Sequence, residues 1–216
     1  IADLSVQASI RTLANQFRAS FPRLDLLINN AALHAARRTV TPDGLETMFA
    51  TNHLGYFLLT NLLIESLRAA PAARVLNISA PSTVKLDFDD LQSERRFRSL
   101  QAFGATKTAN LLFTFKLARQ LEGTPISANA VHPGIVRSGL MRESNVFLRT
   151  LTRVMGKPAE MAGREIADLG LAPEFAGRTG RFYHHGREIE PPAYTLDTAI
   201  QDRLWTASEQ LTHITP

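Results

Sequence analysis

Four short apolar runs, separated by stretches of helical periodicity, restrict this chain to few folds. The runs are Leu24-Asp25-Leu26-Leu27-Ile28, Arg74-Val75-Leu76-Asn77-Ile78-Ser79, residues 126–131, and Gly180-Arg181-Phe182-Tyr183. Strands that alternate with long helices pair in parallel, because each crossover returns the chain to the same end of the sheet. The apolar spacing predicts helices over residues 5–21, 41–68, 101–121 and 198–211. Thr41-Pro42-Asp43 reads as a helix start, a capping hydroxyl followed by proline at the first helical position. Residues 136–171 read as helix broken at Gly156-Lys157-Pro158, and residues 81–98 as an irregular charged segment. The expectation is an α/β fold with a doubly wound parallel sheet, residues 1–216 forming a single domain.

Two polar residues interrupt stripes that should be apolar. Leu45, Met48, Phe49, Asn52, Tyr56, Leu59 and Leu63 recur mostly at steps of three and four, so Asn52 is aimed inward. Phe103, Lys107, Leu111 and Phe115 are four apart, which sets an ammonium beside an apolar stripe. A buried lysine is costly unless paired. Taken singly, a satisfied core asparagine and a lysine snorkelling to the surface account for both.

Composition removes several function classes. The net charge of +4 comes without any basic run interleaved with aromatics, so no nucleic-acid partner is expected. Cysteine is absent, which excludes disulfides and thiolate metal sites and fits a reducing compartment. No apolar stretch reaches the length of a membrane span, and a cytoplasmic protein is the expectation. His184 and His185 are adjacent on a strand and face opposite ways, so no metal site is expected.

The motifs carry more. Asn29-Asn30-Ala31-Ala32, Asn52, Phe103-Gly104-Ala105-Thr106-Lys107 and Pro133-Gly134-Ile135-Val136-Arg137-Ser138 follow one another in this order. Together they resemble the short-chain dehydrogenases/reductases, whose tyrosine four residues before a lysine passes a proton while a nicotinamide passes a hydride. Leu86-Asp87-Phe88-Asp89-Asp90-Leu91-Gln92-Ser93-Glu94-Arg95, with Val131-His132 before Pro133, is most similar to the retinol-dehydrogenase-like branch. The resemblance implies a Rossmann-type sheet and NAD or NADP as cofactor. It implies a cofactor-binding set of Asp3 at the adenine, Asn29, Asn30 and Ala31 at the adenosine ribose, Lys107 at the nicotinamide ribose, Pro133 and Gly134 beneath the nicotinamide, and Ser138 at its carboxamide. It assigns Asn52 to a proton-relay water and Lys107 to tuning the tyrosine.

Departures are as specific as matches. Phe103 occupies the tyrosine position and Ala80 that of the serine which binds the carbonyl oxygen. Neither side chain exchanges a proton. Ser82, Thr83 and Tyr56 are the nearby hydroxyls that could substitute, Tyr56 reading more simply as core. Ala32 replaces a usual glycine. No Gly-rich phosphate turn occurs in the sequence. The chain opens on Ile1 rather than Met, and the expectation is an amino-terminally incomplete member holding strands 4-5-6-7 of the family order. Such a half-sheet would leave the strand at Leu24 unpaired and prone to self-association. The readings are a dehydrogenase or reductase of small apolar alcohols, aldehydes or ketones, inactive or impaired as given; a non-catalytic binding or regulatory member; or a relic. Leu140, Met141, Val146, Phe147 and Leu151 are the candidate lining of an apolar substrate pocket.

Overall fold

The apolar runs pair side by side in chain order. The computed structural model describes residues 1–144 and 146–214. In it β1 (Leu26–Asn29), β2 (Arg74–Ile78), β3 (Ser127–His132) and β4 (Phe182–His184) are successive parallel neighbours. A two-residue β5 (Arg187–Glu188), not anticipated from the sequence, returns antiparallel to β4. His185 and Gly186 turn that corner with φ of 50° and 70°, the left-handed pair that a tight hairpin requires.

Alternation along the strands divides the core into two layers. Leu27, Val75 and Ala128 face α1 (Gln7–Ser20), α3 (Gly55–Leu62) and α5 (Ser99–Gln120), where Ile10, Ala14, Phe57 and Phe113 complete the larger cluster. Leu26, Leu76, Ile78 and Val131 face the other way, onto Ile166 and Leu169 of α7 (Ala159–Leu171). Gly170 packs closely there: a Cβ would lie 2.7 Å from Leu26 Cδ2 and would push that methyl aside. Helix α8 (Thr198–Thr212) packs outside α5, with Leu204 against Leu112 and Leu54. None of the described helices is long and apolar enough to cross a membrane.

Three expectations need correction. Thr41 does not start a helix: it begins a turn closed by the Gly44 N–H at 2.9 Å. The helix opens at α2 (Thr47–Phe49), where the buried Glu46 carboxylate accepts from the N–H groups of Met48 and Phe49 at 2.9 and 2.7 Å. A carboxylate at a helix N-terminus satisfies orphan donors and opposes the dipole. The continuous helix to Arg68 is also interrupted. Residues Ala50–Leu54 form a π-helical turn, and Leu63 separates α3 from α4 (Ile64–Arg68). Finally, residues 137–144 are turns rather than helix, and α6 (Val146–Met155) begins after them.

The break at Gly156-Lys157-Pro158 has a clear cause. Arg137 N–H donates to Lys157 O and Lys157 N–H to Ile135 O, both at 2.9 Å, so a parallel bridge ties the chain after β3 to the residues that follow α6. A Cβ on Gly156 would lie 2.3 Å from Thr152 O and 2.9 Å from Arg137 N. Only glycine fits between them.

Candidate active site

Parallel strands deliver their carboxyl ends to one edge, and a ligand crevice there is the usual outcome in such sheets. Here Asn30 and Ala31 follow β1, Ser79 and Ala80 follow β2, and Pro133 and Gly134 follow β3. Between these segments, α5 and α7 lies a cleft of about 770 Å³. Its walls include Phe103 and Lys107 from α5, Ile28 and Ile78 from the strands, Ala162 and Ile166 from α7, and Ile135, Val136, Ser138, Leu140 and Met141 from the segment after β3. An adjoining cleft of about 780 Å³ shares Ala32 and Leu140 and is edged by His34, Arg37, Arg142 and Glu143.

Lys107 is the most unusual group in the cleft. Only 5% of it is exposed, and burial pulls its ammonium from 10.5 to about 8. Its Nζ makes one long contact, 3.5 Å to Ile78 O, and sits 5.3 Å from the centre of the Phe103 ring. A cation over an aromatic face is attracted by the ring quadrupole, which offsets part of the burial cost. Gly134 lines the same cleft with a φ of 75°. Ala80 and Phe103 line the cleft without a hydroxyl, while Ser79, which also lines it, donates from Oγ to Lys107 O at 2.7 Å. Ser82 Oγ lies instead beside Gly104, 3.2 Å from where its Cβ would be, and accepts from Val84 N–H. Tyr56 is fully buried in the helix-side core, its hydroxyl unpartnered and its pKa raised by burial.

The expected site residues thus separate into two groups. Asn30, Ala31, Ala80, Phe103, Lys107, Pro133, Gly134 and Ser138 share the cleft. Asp3, Asn29 and Asn52 do not line it. Asn52 lies in the π-helical turn, where its Oδ1 accepts from Leu33 N–H at 2.8 Å and its Nδ2 donates to Leu33 O and Thr106 Oγ1 at 2.9 and 3.2 Å. It therefore clamps the segment after β1 onto α5. Asn29 Nδ2 donates to Thr60 Oγ1 and Asn77 Oδ1, and Asn77 Nδ2 donates to Thr114 Oγ1, a buried chain linking two strands and two helices. The Asp3 carboxylate accepts from Ser5 N–H and Oγ, bonds that lower its pKa. Of the proposed pocket lining, Leu140 and Met141 face the cleft, Val146 is exposed and does not line it, and the side chains of Phe147 and Leu151 lie outside those described.

Two histidines near the cleft escaped the sequence reading. His34, 5% exposed, stands edge-on to Phe103 with ring centres 5.6 Å apart. Ser99 Oγ donates to Ala35 O at 2.6 Å, so at 2.7 Å it accepts from His34 Nε2–H and fixes that tautomer. Burial lowers the His34 pKa, while Glu143 pulls it upward. His132 lines the main cleft, stacks on His184 at 4.5 Å and carries a buried, unpartnered Nδ1. Burial, then the neighbouring His184, lowers it to about 4. His34 lies four residues beyond Asn30, where a side chain after the strand end falls at the cleft, and that spacing was the available signal. Among the described residues, no group of three or more His, Asp or Glu is placed to hold a metal.

Comparison with known proteins converges on one family. A family profile described as short chain dehydrogenase matches residues 1–147. Retinol dehydrogenase 12 of Mus musculus is 38% identical over 213 residues, covering 97% of this chain and 67% of that protein. Retinol dehydrogenase 14 of Mus musculus is 36% identical and matches 98% of this chain and 66% of its own length. The chain thus spans about two thirds of these curated relatives. Among solved structures, an uncharacterized protein from Mycobacterium Paratuberculosis superposes with a TM-score of 0.75 at 30% identity, covering 98% of this chain and 74% of that one. The NADPH-bound carbonyl reductase from chicken fatty liver shares the fold at 21% identity, with a TM-score of 0.60 over 88% of this chain and 75% of its own. The chain belongs to the short-chain dehydrogenase family, in its retinol-dehydrogenase-like branch.

Proposed function

We propose that this chain carries the alcohol/carbonyl oxidoreductase site of its family in an impaired form, specific for small apolar alcohols, aldehydes or ketones. The observation that carries this reading is the cleft wall itself: Lys107 is retained, and Phe103 and Ala80 stand beside it without a hydroxyl.

The nicotinamide end of the cleft fits an NAD or NADP cofactor. Lys107 holds N–H donors beyond its one long contact with Ile78 O, which suits ribose hydroxyls, and Gly134, held at a φ of 75°, lines the same cleft. When bound, the cofactor supplies or accepts hydride at the substrate carbon. Asn30, Ala31 and Ser138 line the same cleft and complete the cofactor set, with Asp3 reserved for adenine. Ile135, Val136, Leu140 and Met141 exclude water from an apolar substrate. Asn52 acts at one remove, by holding Leu33 and Thr106 in place. The missing function is proton delivery to the nascent alkoxide, because neither Phe103 nor Ala80 donates.

The test uses the chain preceded by a Gly-rich strand-turn-helix segment to hold the pyrophosphate, with NADPH or NADH and hexanal as substrate. Ala80→Ser alone should leave turnover near the parent value and should raise it several-fold once Phe103→Tyr is present, because groups that act as a unit do not contribute additively. Equal gains from Ala80→Ser with and without the phenol would contradict the assignment. A non-catalytic binding role is the second reading, favoured by a cleft that keeps its apolar walls while lacking both hydroxyls; tight hexanal binding without turnover in the repaired double variant would support it.

A further inference from the structure

The same cleft supports a chemistry that needs neither dinucleotide nor tyrosine. We propose that it captures apolar aldehydes and ketones covalently, as a Schiff base on the Nζ of Lys107. This goes beyond the hydride-transfer reading, since the bond formed is carbon–nitrogen.

Three structural facts carry the inference. First, Lys107 stands apart from the other lysines. Lys116 Nζ lies 2.7 Å from Asp202, Lys157 is paired with Glu165, and Lys85 is exposed over the Tyr194 ring. Lys107 alone is buried, and among the described residues its Nζ has no carboxylate partner. Secondly, the cleft of about 770 Å³ is within the range that encloses a small ligand, and Ile78, Ala80, Phe103 and Ile166 are among the apolar residues that line it with Lys107. An amine desolvated in an apolar pocket is the usual setting of a nucleophilic lysine. Thirdly, Phe103 removes the phenol that would otherwise occupy the amine. Nζ meets the Ile78 carbonyl from β2 and the Phe103 ring from α5, and the imidazole of His132 from β3, which burial keeps neutral, lines the same cleft. With its pKa near 8, about a tenth of Lys107 is neutral at pH 7, against on the order of one part in a few thousand for an ordinary lysine.

The step balances without a redox partner. The Nζ lone pair attacks the carbonyl carbon, the C=O pair moves to oxygen, and a proton passes from nitrogen to that oxygen. The carbinolamine then loses its hydroxyl, protonated by solvent, as water while the nitrogen pair forms C=N. Hydrolysis reverses the sequence.

Reductive trapping tests this on the full chain without cofactor. The protein is held with hexanal and sodium cyanoborohydride at pH 7.5, and the alkylated sites are read by peptide mapping. Lys107 should take label at least tenfold faster than Lys85, Lys116 or Lys157, and glyoxylate, an anionic aldehyde, should lose that preference. Lys107→Met should remove the fast site and leave the other three unchanged. The comparison among lysines is internal to the parent protein, so it stands whether or not the variant folds. Labelling of Lys107 no faster than exposed Lys85 would overturn the proposal. Because no dinucleotide is present, that outcome leaves the hydride-transfer reading to its own test.

Discussion

Lys107 lowers the stability of the fold it sits in. Its folded pKa of about 8 lies below the ordinary 10.5, so the unfolded chain binds the proton more tightly. Stability is therefore lowest below about pH 8 and rises as the pH passes from 8 to 10.5. A tenfold difference in proton affinity between the folded and unfolded chain is worth roughly 1.4 kcal/mol, so Lys107→Met should gain up to about 3 kcal/mol at pH 7. Urea melts of both forms should show the gain shrinking to near zero by pH 10.5; a constant or absent gain would contradict the burial argument. The position of this lysine was legible from its step of four behind Phe103, and so was the loss of the hydroxyl. Its lack of a carboxylate partner was not, because pairing depends on which loops reach the cleft. His34 was missed for the same reason: its contacts with Ser99 and Phe103 span more than sixty residues.

Elements were read well where a single periodicity governs and poorly where the backbone departs from it. The strands and α1, α5 and α8 fall within a few residues of their expected bounds. The helix carrying Asn52 does not, since Glu46 is a less common cap than the Thr41-Pro42 pair that competes for the role, and a π-helical turn leaves no pattern in sequence. That turn presents Asn52 to Leu33 and Thr106 and His53 to α8. Asn52→Ala should cost about 1–3 kcal/mol, because it strands the partly buried N–H and carbonyl of Leu33. Equilibrium unfolding measures this directly. His53 is fully buried, and burial holds it at about 4 rather than 6.5. The unfolded chain protonates first, so this contribution is complete above about pH 6.5 and is lost as the pH falls to 4. On the order of 3 kcal/mol disappears over that window. His53→Gln should flatten the acid limb of the stability profile, and an unchanged limb would exclude His53 as its source.

For the whole molecule, the sequence foretold a parallel α/β sheet with helices on both faces, and among the described strands β5 was the addition. β1 stands at the sheet edge with Ile28 38% exposed, so among the described residues its outer backbone groups face no strand. Sedimentation should find the 216-residue chain self-associated; a monomer with one cooperative melt would contradict the edge argument. The sequence contains no Gly-rich phosphate turn, and calorimetry should give a dissociation constant for NADH or NADPH above about 1 mM, equivalent to roughly 4 kcal/mol. On the proposed reading, Lys107 is in place at the cleft wall and position 103 lacks the hydroxyl that would deliver a proton. The most direct measurement is hexanal turnover by the chain carrying a Gly-rich segment, comparing Phe103 with Phe103→Tyr. The variant should turn over about 10²–10⁴ times faster, and Lys107→Ala should abolish that gain. Equal turnover by the two forms, or a gain that survives loss of Lys107, would contradict the account.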